Sequence, residues 1–167
     1  MAKHAVVRTD NMTATDVRSQ LVSIKYMGSD AKTPTEIDNG NVLKVGTLID
    51  GEREVYIGSA VAANTEVTDV VLVASVEVMY DEHKKNLDEF VNEADKICRG
   101  YRLNSGDIFS VTAEALTGTP TVGYVVELAA GTKLNVVETA TASSTVLGSV
   151  IAKEVVGRHT YYVIKVN

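Results

Sequence analysis

The sequence predicts a mainly β protein with one principal α-helix, an α+β chain built on a small β-barrel or a sandwich-like pair of sheets. Apolar residues make up 45% of the 167 residues, and Val dominates them, whereas aromatic residues are few. β-branched side chains favour the pleated, half-buried surface of a sheet. Short apolar or alternating segments also recur every ten residues or so, with turn signals between them, which is typical of sandwiches and small barrels.

Composition limits the kinds of protein that this chain can be. A length of 167 residues fits one domain, or two small β modules joined by a helix. The net charge of −6 argues against a nucleic-acid partner and against an anionic membrane, since both call for basic surfaces. The single cysteine, Cys98, excludes an intrachain disulfide. The chain starts without the apolar run of a signal peptide, and no apolar run approaches the roughly 18 residues of a membrane span, so we expect a soluble cytoplasmic product.

Residues 1–20 are polar and mixed, and we interpret them as an N-terminal arm. Thr15–Leu21 fits a short capped turn, but an extended arm is equally possible. An arm with so few apolar groups gains too little from burial to order itself alone, and such arms commonly order on a neighbouring subunit. We therefore expect the arm to contribute little to the fold. It should instead bind a partner through the apolar trio and its neighbour, namely Ala5, Val6, Val7 and Arg8.

Residues 21–80 form the β-rich N-terminal part of the prediction. Leu21–Met27 alternates in a way that suits a first strand, and an exposed loop follows over Gly28–Gly40. Val42–Ile49 and Arg53–Ile57 flank Asp50-Gly51, a dipeptide typical of tight hairpin turns. The apolar run Val70–Ala74 predicts a buried strand.

The principal helix is predicted over Asp81–Lys96, within a connecting segment that spans residues 81–98. Apolar residues fall there at the helical spacings i, i+3, i+4, i+7 and i+10, namely Leu87, Phe90, Val91, Ala94 and Ile97. Gly100 follows closely and fits a helix end. Residues 99–167 form the β-rich C-terminal part. Strands are predicted there over Ile108–Thr112, Gly123–Leu128, Leu134–Val137, Ser149–Val155 and Tyr161–Val166.

Few side chains in the sequence suggest chemistry. The cluster Asp81-Glu82-His83 lies near Lys84 and Lys85, so we interpret it as a solvated charged face rather than a metal site. The other histidines, His4 and His159, have no nucleophile at a recognisable spacing. Cys98 stands beside Arg99, which favours reactivity, but a packed core cysteine is the preferred interpretation. We expect no catalytic residue, cofactor or metal, and no cluster of Lys or Arg to hold a partner.

Several stretches resemble auxiliary head proteins of tailed bacteriophages, which decorate or cement a capsid, as in phages and prophages of Gram-positive bacteria. The resemblance spans nearly the whole chain but has no chemically diagnostic motif. It rests on Ala2–Asp10, Thr15–Leu21, Asp38–Gly46, Leu87–Glu93, Arg99–Leu103 and Gly106–Thr112.

The resemblance implies a β-rich structural virion protein on the outside of an icosahedral shell. Its partner would be the major capsid protein, with self-association in a homo-oligomer left open, and no nucleic acid or membrane would be involved. The protein would assemble in the host cytoplasm and reside on the capsid surface, where it would stabilise contacts between capsid subunits. A different class remains open: a β-barrel binding module for a small ligand or carbohydrate. An enzyme ranks last for want of a matched constellation.

Overall fold

The computed structural model describes residues 3–167, and it confirms a mainly β chain. Its single α-helix in that range is short, α1 (Thr13–Asp16), and four isolated 3-10 turns accompany it. The strands of the described residues are β1 (Val7–Asn11), β2 (Leu21–Tyr26), β3 (Val42–Leu48), β4 (Val55–Ser59), β5 (Val70–Val73), β6 (Cys98–Arg102), β7 (Ile108–Val111), β8 (Leu116–Gly118), β9 (Val125–Leu128), β10 (Leu134–Val137), β11 (Val146–Val156) and β12 (His159–Val166). None of the helices in this range is long and apolar enough to cross a membrane.

Strands β2 to β6 close into a small barrel in the order β2-β4-β3-β5-β6. The pair β2 and β4 is parallel, and the other neighbouring pairs are antiparallel. The predicted hairpin around Asp50-Gly51 is confirmed as β3 and β4, and Gly51 takes the positive φ of +81° that its turn requires.

The barrel interior is filled by side chains. Ile24, Leu43 and Val71 are fully buried and belong to its core cluster. Glycine on neighbouring strands makes room for them, because a Cβ at Gly58 would lie 2.9 Å from both the Ile24 Cγ1 and the Leu43 Cδ1. A Cβ at Gly100 would likewise lie 2.9 Å from the Val71 Cγ2. The barrel therefore has a packed core and no lumen for a ligand.

A seven-stranded sheet covers the barrel, in the order β1-β7-β12-β11-β9-β10-β8. A second, larger core lies between the two layers and joins Leu72 and Tyr101 of the barrel to Phe109 and Ile164 of the sheet. Alternate residues of β5 thus enter different cores, since Val71 and Val73 fill the barrel while Val70 and Leu72 face the sheet. Burial on both faces explains the continuous apolar run there.

A buried carboxylate orders the loop that follows β10, residues 138–145, which is rich in Ala, Thr and Ser. Glu127 is 1% exposed and accepts hydrogen bonds from the Thr141 N–H, the Thr141 hydroxyl and the Asn135 side-chain amide, at 2.8 to 3.0 Å. Burial opposes ionisation of Glu127, but these donors outweigh it and hold its pKa below the usual value. The loop is thus fixed to the sheet by a satisfied buried charge.

The predicted helix over Asp81–Lys96 is wrong. Only the single 3-10 turn Leu87–Glu89 forms there, closed by a capping box in which the Glu89 carboxylate accepts from the Asn86 N–H at 2.9 Å. The backbone of Asn92 instead exchanges hydrogen bonds with Ile37 in both directions, at 2.9 and 3.0 Å. Asp95 has a positive φ of 70°, which no helix accommodates. Long-range backbone pairing has therefore overridden a helical pattern of apolar residues.

The predicted free arm is also wrong for the residues that the structure describes. β1 pairs with β7. Just ahead of β1, the Val6 carbonyl accepts a hydrogen bond from the Thr112 N–H, and the Val6 N–H donates to the Thr112 hydroxyl. The α1 turn is fixed by Asp107, whose carboxylate accepts from both the N–H and the hydroxyl of Thr13 at 2.8 Å. Met12 and Ala14 are buried in the larger core. The segment is thus an edge strand of the sheet.

Candidate binding surface

An extended segment, Ser75–Tyr80, leaves the barrel after β5 and presents apolar side chains to solvent. Val76, Val78 and Tyr80 are 61%, 53% and 94% exposed, while the residues between them are half-buried. This alternation is that of a strand with one outward face. We call Val76, Val78 and Tyr80 the exposed stripe.

A buried asparagine holds the start of the segment in place. Asn39 is 1% exposed, and its side chain donates to the Ser75 carbonyl at 2.9 Å and accepts from the Ser75 N–H at 3.0 Å. The same amide group donates to the Glu77 carboxylate and accepts from the Asn92 side chain. The stripe therefore projects from a fixed base rather than from a free loop.

Beyond Ser75 the backbone of the segment is nearly unpaired. Its only backbone hydrogen bond within the described chain runs from the Val78 N–H to the Val76 carbonyl, at 2.9 Å. The N–H groups of Val76, Glu77, Met79 and Tyr80 have no acceptor among residues 3–167. Extended backbone with free donors can receive a strand from another protein.

Three depressions border Val76 of the stripe. A cavity of about 330 Å³ separates the stripe from the returning segment 81–97, with Phe90 and Ile97 on the far wall. A groove of about 940 Å³ crosses the outer faces of β2, β4 and β6, and Arg18, Arg53 and Arg99 line it. We call this second depression the arginine groove. Ser75, Val76 and Ile97 line both the cavity and the groove, so the two form one continuous surface.

The arginine groove contradicts the expectation that no cluster of basic residues would exist. None of the ion pairs within the described part of the chain involves Arg18, Arg53 or Arg99. All three side chains are exposed. No short sequence window contains two of them, so the sequence carries no local signal of the cluster. The exposed stripe is visible in the sequence as the apolar alternation of Ser75–Tyr80. That alternation does not indicate whether the apolar face is buried or exposed.

Of the residues predicted to bind a partner, Val7 and Arg8 line a third depression of about 330 Å³, which Val76 and Arg99 also border. The apolar trio itself is inaccessible. Ala5, Val6 and Val7 are 1%, 2% and 8% exposed. The Arg8 side chain is 38% exposed, but it pairs with Asp10 and Glu154 and lies over the Tyr161 ring at 4.9 Å. The fold therefore uses these residues itself.

The remaining candidates for chemistry stay apart. Cys98 is buried, as the sequence predicted, and burial raises the pKa of its thiol to about 11, which disfavours the reactive thiolate. The His4 Nδ1 contacts the Asp38 carboxylate at 2.7 Å. Within residues 3–167, no three His, Cys, Asp or Glu side chains are grouped as metal ligands.

A second exposed apolar patch marks the far end of the β11–β12 hairpin, where Val155 and Val156 are 72% and 51% exposed. Arg158 in the hairpin turn forms an ion pair with the buried Asp88. Val155 and Val156 line none of the three depressions that border Val76, so this patch provides a matched control for the exposed stripe.

Comparison with protein families, with curated proteins and with solved structures finds no match to this chain.

Proposed function

We propose that this chain is a structural virion protein that binds the outer surface of an icosahedral capsid and stabilises contacts between major capsid subunits. The observation that carries the proposal is the exposed stripe, which presents three large apolar side chains on a fixed, extended and unpaired segment. Apolar side chains that project together from a rigid base are typical of sites that another protein covers. The proposal assigns the chain no catalytic role.

The body behind the stripe suits a protein that stiffens a lattice. The barrel and the sheet share a continuous core, so force applied at the stripe is carried by packed strands rather than by a hinge. Many copies on one shell would also engage together, so that weak single contacts add up to durable attachment.

The alternative is a β-barrel binding module for a small ligand or carbohydrate. The filled barrel leaves that function to the cavity of about 330 Å³ beside the stripe, where Tyr80 offers an aromatic face. A sugar or small-molecule ligand of this cavity would leave the rest of the stripe and its free backbone donors without a role. The capsid proposal gives both the stripe and the free donors a role, and we prefer it.

Replacing Val78 and Tyr80 together with Ser should weaken binding to shells while leaving the fold intact. Both side chains are mostly exposed, so their loss costs little folding free energy. Aromatic anchors commonly contribute about 2 kcal/mol or more at an interface, which corresponds to a loss of more than tenfold in affinity. The measurement is co-sedimentation with purified, assembled phage capsid shells.

The matched control is Val155→Ser, which removes a comparably exposed Val from the hairpin end. It should co-sediment like the unmodified protein. Full occupancy by the Val78→Ser, Tyr80→Ser variant, or failure of the unmodified protein to bind shells at all, would contradict the proposal.

A further inference from the structure

We infer that the arginine groove receives an extended acidic segment of a partner protein. The groove is continuous with the exposed stripe through Ser75, Val76 and Ile97, so the inference deepens the proposed function and rests on it. The inference specifies what the proposed function leaves open, namely that the bound segment of the partner is acidic and extended.

Strand register places the groove across three adjacent strands. On β2, Ser23 lies opposite Arg99 of β6 on one side and Val55 of β4 on the other. Ser23 and Arg99 are both exposed and point outward, and the short Ser23 side chain leaves the centre of this face low. Arg53 in the β3–β4 loop and Arg18 ahead of β2 border the same depression. The result is a trough with guanidinium groups along its walls.

Charge selects an anionic occupant. Three guanidinium groups line the trough without an ion-pair partner in the described chain, and Glu54 is the one carboxylate among the lining residues. This concentration of positive charge occurs in a chain of net charge −6. Guanidinium forks match carboxylates in a bidentate geometry, and such charge-assisted pairs are stronger than neutral hydrogen bonds.

Apolar lining selects a peptide over a nucleic acid. Val76 and Ile97 are 61% and 55% exposed on the groove, and Leu21 and Tyr56 also line it. A nucleic acid binds through many successive phosphates and needs a basic surface longer than this trough, whereas a short peptide segment needs only the trough itself. A peptide that alternates acidic and apolar residues would place carboxylates on the arginines and apolar side chains on Val76 and Ile97. The free N–H groups of Val76 and Glu77 at the rim suit an extended peptide backbone.

Fluorescence anisotropy with a labelled Glu-Val-Glu-Val-Glu-Val-Glu peptide tests the inference on the full-length protein. We expect binding that an otherwise identical Gln-containing peptide lacks, and that weakens as salt rises from roughly 0.05 to 0.5 M. The Arg53→Gln, Arg99→Gln variant should lose about tenfold or more in affinity. The control Lys153→Gln, Lys165→Gln removes the same charge from exposed positions on β11 and β12, and it should bind the Glu peptide normally.

Several results would overturn the inference. One is equal affinity of the protein for the Glu and Gln peptides. Another is equal affinity of the arginine double variant and the lysine control for the Glu peptide. A third is tighter, Arg53- and Arg99-dependent binding of a single-stranded oligonucleotide, which would identify a nucleic-acid site. Self-association abolished by the same arginine changes would identify a second copy as the occupant.

The groove and the capsid proposal fail separately. If the Glu peptide binds through Arg53 and Arg99 but the protein does not co-sediment with shells, the groove assignment stands and the capsid proposal fails. If the protein binds shells but the peptide does not bind, the capsid proposal stands and the groove assignment fails.

Discussion

Replacing Val6 with Asp should cost the fold much of its stability, not merely its affinity for a partner. Val6 is 2% exposed, and its carbonyl accepts a hydrogen bond from the Thr112 N–H at 3.0 Å. A carboxylate at this position would therefore be buried immediately ahead of β1. An unpaired buried charge costs on the order of 4 kcal/mol, against a total stability of roughly 5–15 kcal/mol for an ordinary domain. Urea denaturation followed by circular dichroism measures the loss.

The control is Thr15→Asp, which introduces the same charge at an exposed position of α1. Its midpoint of unfolding should stay close to that of the unmodified protein. If Val6→Asp unfolds at the same urea concentration as Thr15→Asp, the N-terminal segment is an arm after all and β1 is not part of the folded sheet.

Replacing Gly148 with Ala should also destabilise the protein strongly, by about 3 kcal/mol or more, since a core that is overpacked against backbone cannot relax by a rotamer change. The added Cβ would lie 1.9 Å from the Lys165 carbonyl oxygen and 2.8 Å from its carbon. Relief requires β11 and β12 to separate where Gly148 is paired with Val166, next to the register shift between β11 and β9. Urea denaturation again gives the change in unfolding free energy.

Gly157→Ala separates this clash from the general effect of adding a methyl group. Gly157 has a φ of +59°, but nothing lies within 4 Å of its Cβ position. It should therefore lose only the roughly 1–2 kcal/mol of a left-handed residue with a side chain. Equal losses for Gly148→Ala and Gly157→Ala would mean that β11 and β12 are not packed as closely as described.

Local pattern predicted most of the strands because their apolar alternation coincides with burial. β2, the β3–β4 hairpin and β10 lie where the sequence places them. β5 was predicted from its apolar run, and its burial in two cores accounts for the lack of polar residues there. In these segments local preference and tertiary packing agree.

The segments that the sequence predicted wrongly are those where distant groups decide the conformation. Asn92 pairs with Ile37, 55 residues away, and this pairing replaces the helix that Leu87 and Phe90 suggested. Val6 pairs with Thr112, 106 residues away, which turns a polar segment with one apolar trio into a strand. β6 was not predicted: the connecting helix was extended to residue 98 and Gly100 was interpreted as its end, whereas this segment pairs with β2 and β5.

The candidate surface was the least predictable part of the molecule. Arg18, Arg53 and Arg99 converge only because β6, β2 and β4 are neighbours in the closed barrel. The alternation over Ser75–Tyr80 was visible, but an exposed apolar face and a buried one have the same period. The two are distinguished only by the exposure of the side chains in the folded structure.

Hydrogen–deuterium exchange of the free and shell-bound protein tests most directly whether the exposed stripe is where the partner binds. In the free protein, the N–H groups of Val76, Glu77, Met79 and Tyr80 have no acceptor in the described chain, so they should exchange rapidly. In the bound protein we expect strong protection over residues 76–80 and no change at the hairpin end around Val155. Unchanged exchange over residues 76–80, with protection appearing at the hairpin end instead, would contradict the account.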